Sequence, residues 1–150
     1  MAVDVLQHLA ELCDDDGGVL IGEDLKKDRA TLESAYDVAQ GVSREFALNY
    51  LVRLNRELNA GFRVTQFGYE APYNESLGRI EMALVSLCDQ VVSINGSRVQ
   101  FKNGERVHTE YSYKYTLAEF AELAEEAGLR VEQTWTDSEE LFSVQYLEPR

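Results

Sequence analysis

The sequence predicts a mixed α/β domain whose later strands pair antiparallel. Apolar residues recur at helical spacing in the first sixty residues and again over 117–127. Short apolar or alternating runs lie between and after these stretches, and two Asn-Gly pairs punctuate the strand-rich middle. With 150 residues, the chain reads as a single domain over 1–150. Within it lie a helix–strand–helix region over 1–60, antiparallel hairpins over 79–115, and a helix with two closing strands over 116–150.

Each element has its own signal. Val5, Leu6, Leu9, Ala10 and Leu12 predict a first helix over 3–12, closed by Asp14-Asp15-Asp16-Gly17-Gly18. Val19-Leu20-Ile21-Gly22 reads as a buried central strand flanked by helices. Asp28 is placed to cap the next helix, over 30–39, whose apolar positions are Leu32, Ala35, Tyr36 and Ala39. Phe46, Ala47, Tyr50, Leu51, Leu54 and Leu58 predict a further helix over 43–58, with these residues on its buried side and Ser43 as its cap. Ile80, Met82 and Leu84 alternate with Glu81, Ala83 and Val85, and this pattern places Met82 in the core. Val91-Val92-Ser93-Ile94 enters a hairpin at Asn95-Gly96, and Asn103-Gly104 opens another. Thr116-Leu117-Ala118-Glu119 is a capping box, and Gly128 ends the helix it begins. Strands over 130–136 and 141–147 close the chain.

Charge narrows the range of partners. Fourteen Lys and Arg against 27 Asp and Glu give a net charge of −13, a field that repels phosphate backbones and argues against nucleic acid. No apolar stretch approaches the roughly 20 residues of a membrane helix, and no secretory leader is expected at the start, so the expected location is cytoplasmic. Cys13 and Cys88 read as buried, reduced thiols. His8 and His108 lack metal-ligand spacing, and no metal site is expected.

The common nucleotide-cofactor and nucleophile signatures are absent. There is no Gly-x-Gly-x-x-Gly, no phosphate-binding loop and no Gly-x-Ser-x-Gly. The most unusual segment is Glu105 to Tyr115. On a strand, Glu110 and Ser112 share a face with His108 and Lys114, while Tyr111, Tyr113 and Tyr115 line the other. A carboxylate beside a hydroxyl can hold a small N–H-rich group such as imidazole. An exposed polar face over an aromatic inner face accounts for the same pattern. Tyr36 suits either packing or ligand contact. Asp24, Lys26 and Lys27 could form a site at a strand end, or a solvated loop with a helix cap.

Several segments together resemble one family. They are Val19-Leu20-Ile21-Gly22-Glu23-Asp24-Leu25-Lys26-Lys27-Asp28, then Ala35-Tyr36-Asp37 through Gly41-Val42 to Phe46-Ala47-Leu48-Asn49, and Arg79-Ile80-Glu81-Met82. His108-Thr109-Glu110-Tyr111-Ser112-Tyr113-Lys114-Tyr115, Ala127-Gly128-Leu129 and Trp135-Thr136-Asp137 complete the series. In order along the chain, they are similar to the histidine-specific, S-adenosylmethionine-dependent methyltransferases of ergothioneine biosynthesis. The resemblance implies the distal half of a class I (Rossmann-like) methyltransferase sheet, with an antiparallel hairpin insertion forming the substrate-binding part. It implies that Tyr36, Met82, Glu110 and Ser112 surround the imidazole of a histidine whose α-amine is methylated. Ser43 and Tyr111 depart from the family pattern, where threonine and asparagine are common.

S-adenosylmethionine is the donor implied for the full-length family. The family's glycine-rich donor loop, its ribose-binding acid and its grip on the amino-acid backbone have no counterpart in these residues, and no catalytic residue is assigned. The chain alone is therefore expected to be inactive, and to self-associate or pair with a missing N-terminal half through open sheet edges. The alternative is a non-enzymatic module that binds imidazole or amino-acid ligands.

Overall fold

A computed structural model describes residues 2–13, 17–36 and 41–150. The chain builds two compact units: Met1–Lys27 with Tyr113–Arg150, and Asp28–Ser112. The acidic turn over 14–16 and the expected end of the second helix over 37–40 lie outside the described residues.

The first unit contains α1 (Ala2–Leu12), β1 (Val19–Asp24), α4 (Leu117–Glu126), β8 (Leu129–Thr136) and β9 (Phe142–Pro149). Its strands form an antiparallel sheet in the order β1-β9-β8. Leu6 of α1 and Phe120 and Ala124 of α4 pack on Leu129 and Leu147, with Val19 and Ile21 beside them. Burial of each large side chain here contributes about 1.5–3 kcal/mol. The capping box forms as the sequence implies: the Glu119 backbone N–H donates to Thr116 Oγ1, and the Thr116 N–H donates to Glu119 Oε2. Gly128 follows the helix at φ 82°, a conformation in which a Cβ would be strained.

The expectation of a buried central strand at 19–22 is corrected. Among the described residues β1 pairs only with β9, and antiparallel. Both helices supply residues to the cluster on one face of the sheet. On the other face Leu20 is 67% exposed, with Trp135 and Phe142 about half exposed. Phe142 instead covers Gly22 from the neighbouring strand, so closely that a Cβ there would sit 2.9 Å from the ring. Tyr146 covers Gly18 in the same way, at 2.5 Å.

The second unit contains α2 (Arg29–Tyr36), α3 (Val42–Glu57), β2 (Phe67–Glu70), β3 (Tyr73–Asn74), β4 (Arg79–Ser86), β5 (Gln90–Ile94) and β6 (Ser97–Phe101), and most of β7 (Arg106–Tyr113). β4 is the hub. It pairs antiparallel with β2 and β3, and β7 also pairs with it. Alternation along β4 buries Ile80, Met82 and Leu84, as expected. Ala47 and Leu51 of α3 pack with Phe62, Phe67, Leu84, Val92 and Phe101. Asn55 closes the loop after α3, accepting from the Phe62 N–H and donating to its carbonyl, both at 2.8 Å. Asp28 caps α2 by accepting from the Thr31 N–H at 2.9 Å.

One hairpin forms as expected, and four further expectations are corrected. The Asn95-Gly96 hairpin joins β5 to β6, with both turn residues at positive φ. Asn103-Gly104 also turns the chain, yet β7 pairs with β4 instead of β6. Bonds from Gly104 N–H to the Ser86 carbonyl and from Ser86 N–H to the Glu105 carbonyl tie that turn to the end of β4. The cap position of α3 is Gly41, with no side-chain cap, and Ser43 lies inside the helix. Phe46, Tyr50 and Leu58 are exposed, whereas Ala47, Leu51 and, partly, Leu54 of the α3 stripe reach the core. Cys13 and Cys88 are free but only partly buried.

Candidate functional site

A cavity of about 290 Å³ lies within the Asp28–Ser112 unit. Tyr36, at the end of α2, forms one part of its wall. α3 contributes Val42, Ser43, Phe46, Ala47 and Tyr50, which recur at helical spacing on one face. β2 adds Tyr69, β4 adds Met82, and β7 adds Thr109, Glu110 and Ser112. The four residues singled out from the sequence, Tyr36, Met82, Glu110 and Ser112, thus border one cavity.

The polar geometry is specific. Tyr36 Oη and Ser112 Oγ are hydrogen-bonded at 2.8 Å. Thr109 Oγ1 donates to the Met82 carbonyl at 3.1 Å and joins the two strands at the wall. Met82 is 8% exposed and packs with Leu32, Ala71, Tyr73 and Ile80. It is both core and cavity wall. Among the described lining residues Glu110 is the one carboxylate, and none is Lys, Arg or His.

His108 and Lys114 do not join Glu110 there, as the alternation implied. The His108 ring lies against Tyr111, with centroids 3.7 Å apart, and Arg79 sits over the same tyrosine, 3.6 Å from its centroid. Lys114 is 2% exposed and pairs with Asp24 at 2.9 Å. The expected inner aromatic face is also modified. Tyr111 and Tyr113 are exposed, whereas Tyr115 packs on Phe120. Strict alternation fails along β7, because the neighbours Thr109 and Glu110 both reach the cavity.

The charged strand end at 24–27 is an ion-pair cluster. Asp24 is paired with Lys27 and Lys114, and Lys26 with Glu119. Burial acts to raise the Asp24 pKa, but hydrogen bonds and charge from Lys27 and Lys114 outweigh it and hold the carboxyl below its usual range. Its neighbour Glu23 points to the other face. Glu23 is 8% exposed, and burial pushes its carboxyl from 4.5 up to about 7, partly opposed by Ser143 and Gln145. Neither Glu23 oxygen has a well-formed hydrogen bond among the described residues, and the Gln145 amide is turned to Ser143 Oγ at 3.2 Å.

Sequence reasoning missed Phe46, Tyr50, Tyr69 and Thr109. Aromatic residues at helical spacing normally mark a core, and Phe46 and Tyr50 fit that pattern. A usable signal was that α3 carries more apolar residues than one buried face can take, leaving a second apolar strip beside Ser43.

Among the described residues, none supplies the glycine turn on which a nucleotide-bearing methyl donor would sit. Such donors use a glycine turn between a strand and a helix. The described glycines with positive φ precede α3, lie in hairpin or loop turns, or follow α4. The cavity is lined by rings, two short aliphatic side chains, a methionine, hydroxyls and one carboxylate.

A mixed α/β frame holding an aromatic cavity with a few convergent polar groups has the form that small-molecule sites take. Residues 1–149 match the family described as histidine-specific, SAM-dependent methyltransferases, and the chain belongs to that family. It is 41% identical over 135 residues to the histidine N-alpha-methyltransferase of Mycolicibacterium smegmatis, covering 88% of this chain and 42% of that protein. The histidine N-alpha-methyltransferase of Mycobacterium tuberculosis is 43% identical over 122 residues, covering 79% and 38%. The L-tryptophan methyltransferase of Psilocybe serbica is 30% identical over 123 residues, covering 79% and 34%. The chain thus spans about two fifths of the length of the curated relatives it matches.

Proposed function

We propose that this chain is the substrate-side part of an S-adenosylmethionine-dependent methyltransferase that methylates the α-amine of histidine, a step of ergothioneine biosynthesis in the cytoplasm. The observation that carries this reading is the convergence of Glu110, Ser112, Tyr36 and Met82 on one cavity in a chain of this family. Glu110 and Ser112 hydrogen-bond the imidazole nitrogens, Tyr36 fixes Ser112, and Met82 sets the width. Methyl transfer also requires the amine aimed in line at the donor methyl. This chain holds only the ring end of the substrate, so the donor and the amine are held by residues beyond the two fifths that match.

Calorimetry of the chain with histidine tests the assignment. Glu110→Ala is expected to weaken binding at least tenfold, the loss of a charge-assisted bond of about 1.5–3 kcal/mol. Unchanged affinity removes Glu110 from the site. Pure chain with S-adenosylmethionine and histidine is expected to give no methylated product, and steady turnover refutes the division of labour.

A second reading is a binding module without chemistry, favoured by the lack of a donor-fitting glycine turn among the described residues. Binding in the absence of turnover, even when the remaining portion of a relative is supplied, identifies it. Self-association belongs to both readings. The edge of β1 opposite β9 has no strand partner among the described residues, and Leu20 stands exposed on that strand. A second copy pairing there is expected to give dimers in sedimentation equilibrium, and a monomer at high concentration rules this out.

A further inference from the structure

We infer that the cavity takes the ring of its ligand as a cation, imidazolium in the case of histidine, and that Phe46 and Tyr50 select for that charge. This rests on the reading that histidine is the ligand and adds which protonation state is bound and which residues discriminate.

Three observations converge. Four aromatic side chains border the cavity, Tyr36 from α2, Phe46 and Tyr50 from α3, and Tyr69 from β2. Among the described lining residues Glu110 from β7 is the only one of formal charge, and the other titratable groups among them are the three tyrosine hydroxyls. Phe46 is 63% exposed and Tyr50 42%, yet they meet edge to face with centroids 5.7 Å apart. Contiguous exposed rings at the rim of a cavity form the kind of apolar patch that accompanies ligand-binding grooves.

The chemistry then favours a positive ligand. Ring faces attract cations through their quadrupole, most strongly where water is displaced. A carboxylate closed in by a neutral ligand loses solvation without gaining a counter-charge, whereas a cation supplies one. Imidazolium carries two N–H donors and no acceptor. The Glu110 carboxylate and the Ser112 hydroxyl can each accept one. The net charge of −13 adds a field of the same sense over the whole molecule.

Calorimetry with the full chain tests this, using histidine, its uncharged isostere pyrazolylalanine, and 1,3-dimethylimidazolium as a fixed cation. Free imidazole titrates near 6.5, so the association constant for histidine is expected to fall about 25-fold between pH 6 and pH 8. Pyrazolylalanine is expected to bind weakly at both. Phe46→Leu or Tyr50→Leu keeps an exposed apolar residue and is expected to weaken dimethylimidazolium about fivefold, while Tyr50→Phe retains affinity. Equal histidine affinity at pH 6 and pH 8 overturns the inference and leaves the histidine reading intact. Binding of dimethylimidazolium that weakens in Phe46→Leu, with no histidine binding at any pH, does the reverse. Pyrazolylalanine binding as tightly as histidine at pH 6, or no binding of any probe, also overturns it.

Discussion

Asp24→Ala is expected to lower folding stability by about 3 kcal/mol. Asp24 is the shared counter-ion of Lys27 and Lys114, and Lys114 is 2% exposed. Removing one partner of a buried pair leaves desolvated charge behind, and that penalty exceeds the worth of the pair itself. The loss sits at the low end of such cases because the Asp24 side chain is 28% exposed. Lys114→Met added to Asp24→Ala is expected to restore more than half of the loss, since the methionine fills similar space without charge. Urea denaturation of the chain and both variants checks this, and a double variant no more stable than Asp24→Ala contradicts it. The sign with pH also follows. The folded carboxyl of Asp24 lies below its unfolded value, so its contribution is present above about pH 4 and is lost as pH falls through the folded pKa. Chain and single variant therefore converge in acid.

Glu23 behaves in the opposite sense, one residue away. Its pKa rises from 4.5 to about 7 because the carboxyl is buried beside Ser143 and Gln145. A group whose folded pKa is raised contributes stability that is fully present below its unfolded pKa. That contribution is lost as pH rises through the folded value. The window is therefore pH 4.5 to 7, and the total is about 3 kcal/mol at 1.36 kcal/mol per pKa unit. Glu23→Gln removes the titration while keeping the shape, so this variant is expected to be more stable than the parent at pH 8. The difference should shrink steadily toward pH 5. Parallel stability curves for the two proteins between pH 5 and pH 8 refute the assignment. Together, Glu23 and Asp24 show how the alternation of one strand can place two carboxylates in opposite electrostatic states.

Much of the frame was legible because local chemistry decided it. Thr116 and Glu119 satisfy each other's backbone, Asn95-Gly96 adopts the turn that its residues allow, and Asp28 caps α2. These signals act within a few residues and needed no tertiary context. The failures were long-range. Nothing near Asn103-Gly104 tells that β7 pairs with β4 and not with β6. The apolar run at 19–22 looks alike in a central strand and in an edge strand. The site was partly legible for the same reason. Glu110 and Ser112 alternate on one strand, so their common face follows from the pleat. Phe46 and Tyr50 were hidden, because helical spacing shows that residues share a face without showing whether that face meets a core or a cavity.

The rings laid over Gly18 and Gly22 give the molecule a built-in spectroscopic marker. In each case the ring occupies the space into which a Cβ would project, so an α-proton of that glycine lies in the magnetic shadow of Tyr146 or Phe142. The chain has 10 glycines, so a sample labelled at glycine alone yields a spectrum simple enough to assign. Two of its resonances then sense whether β1 and β9 are in register, independently of any ligand and of every other strand.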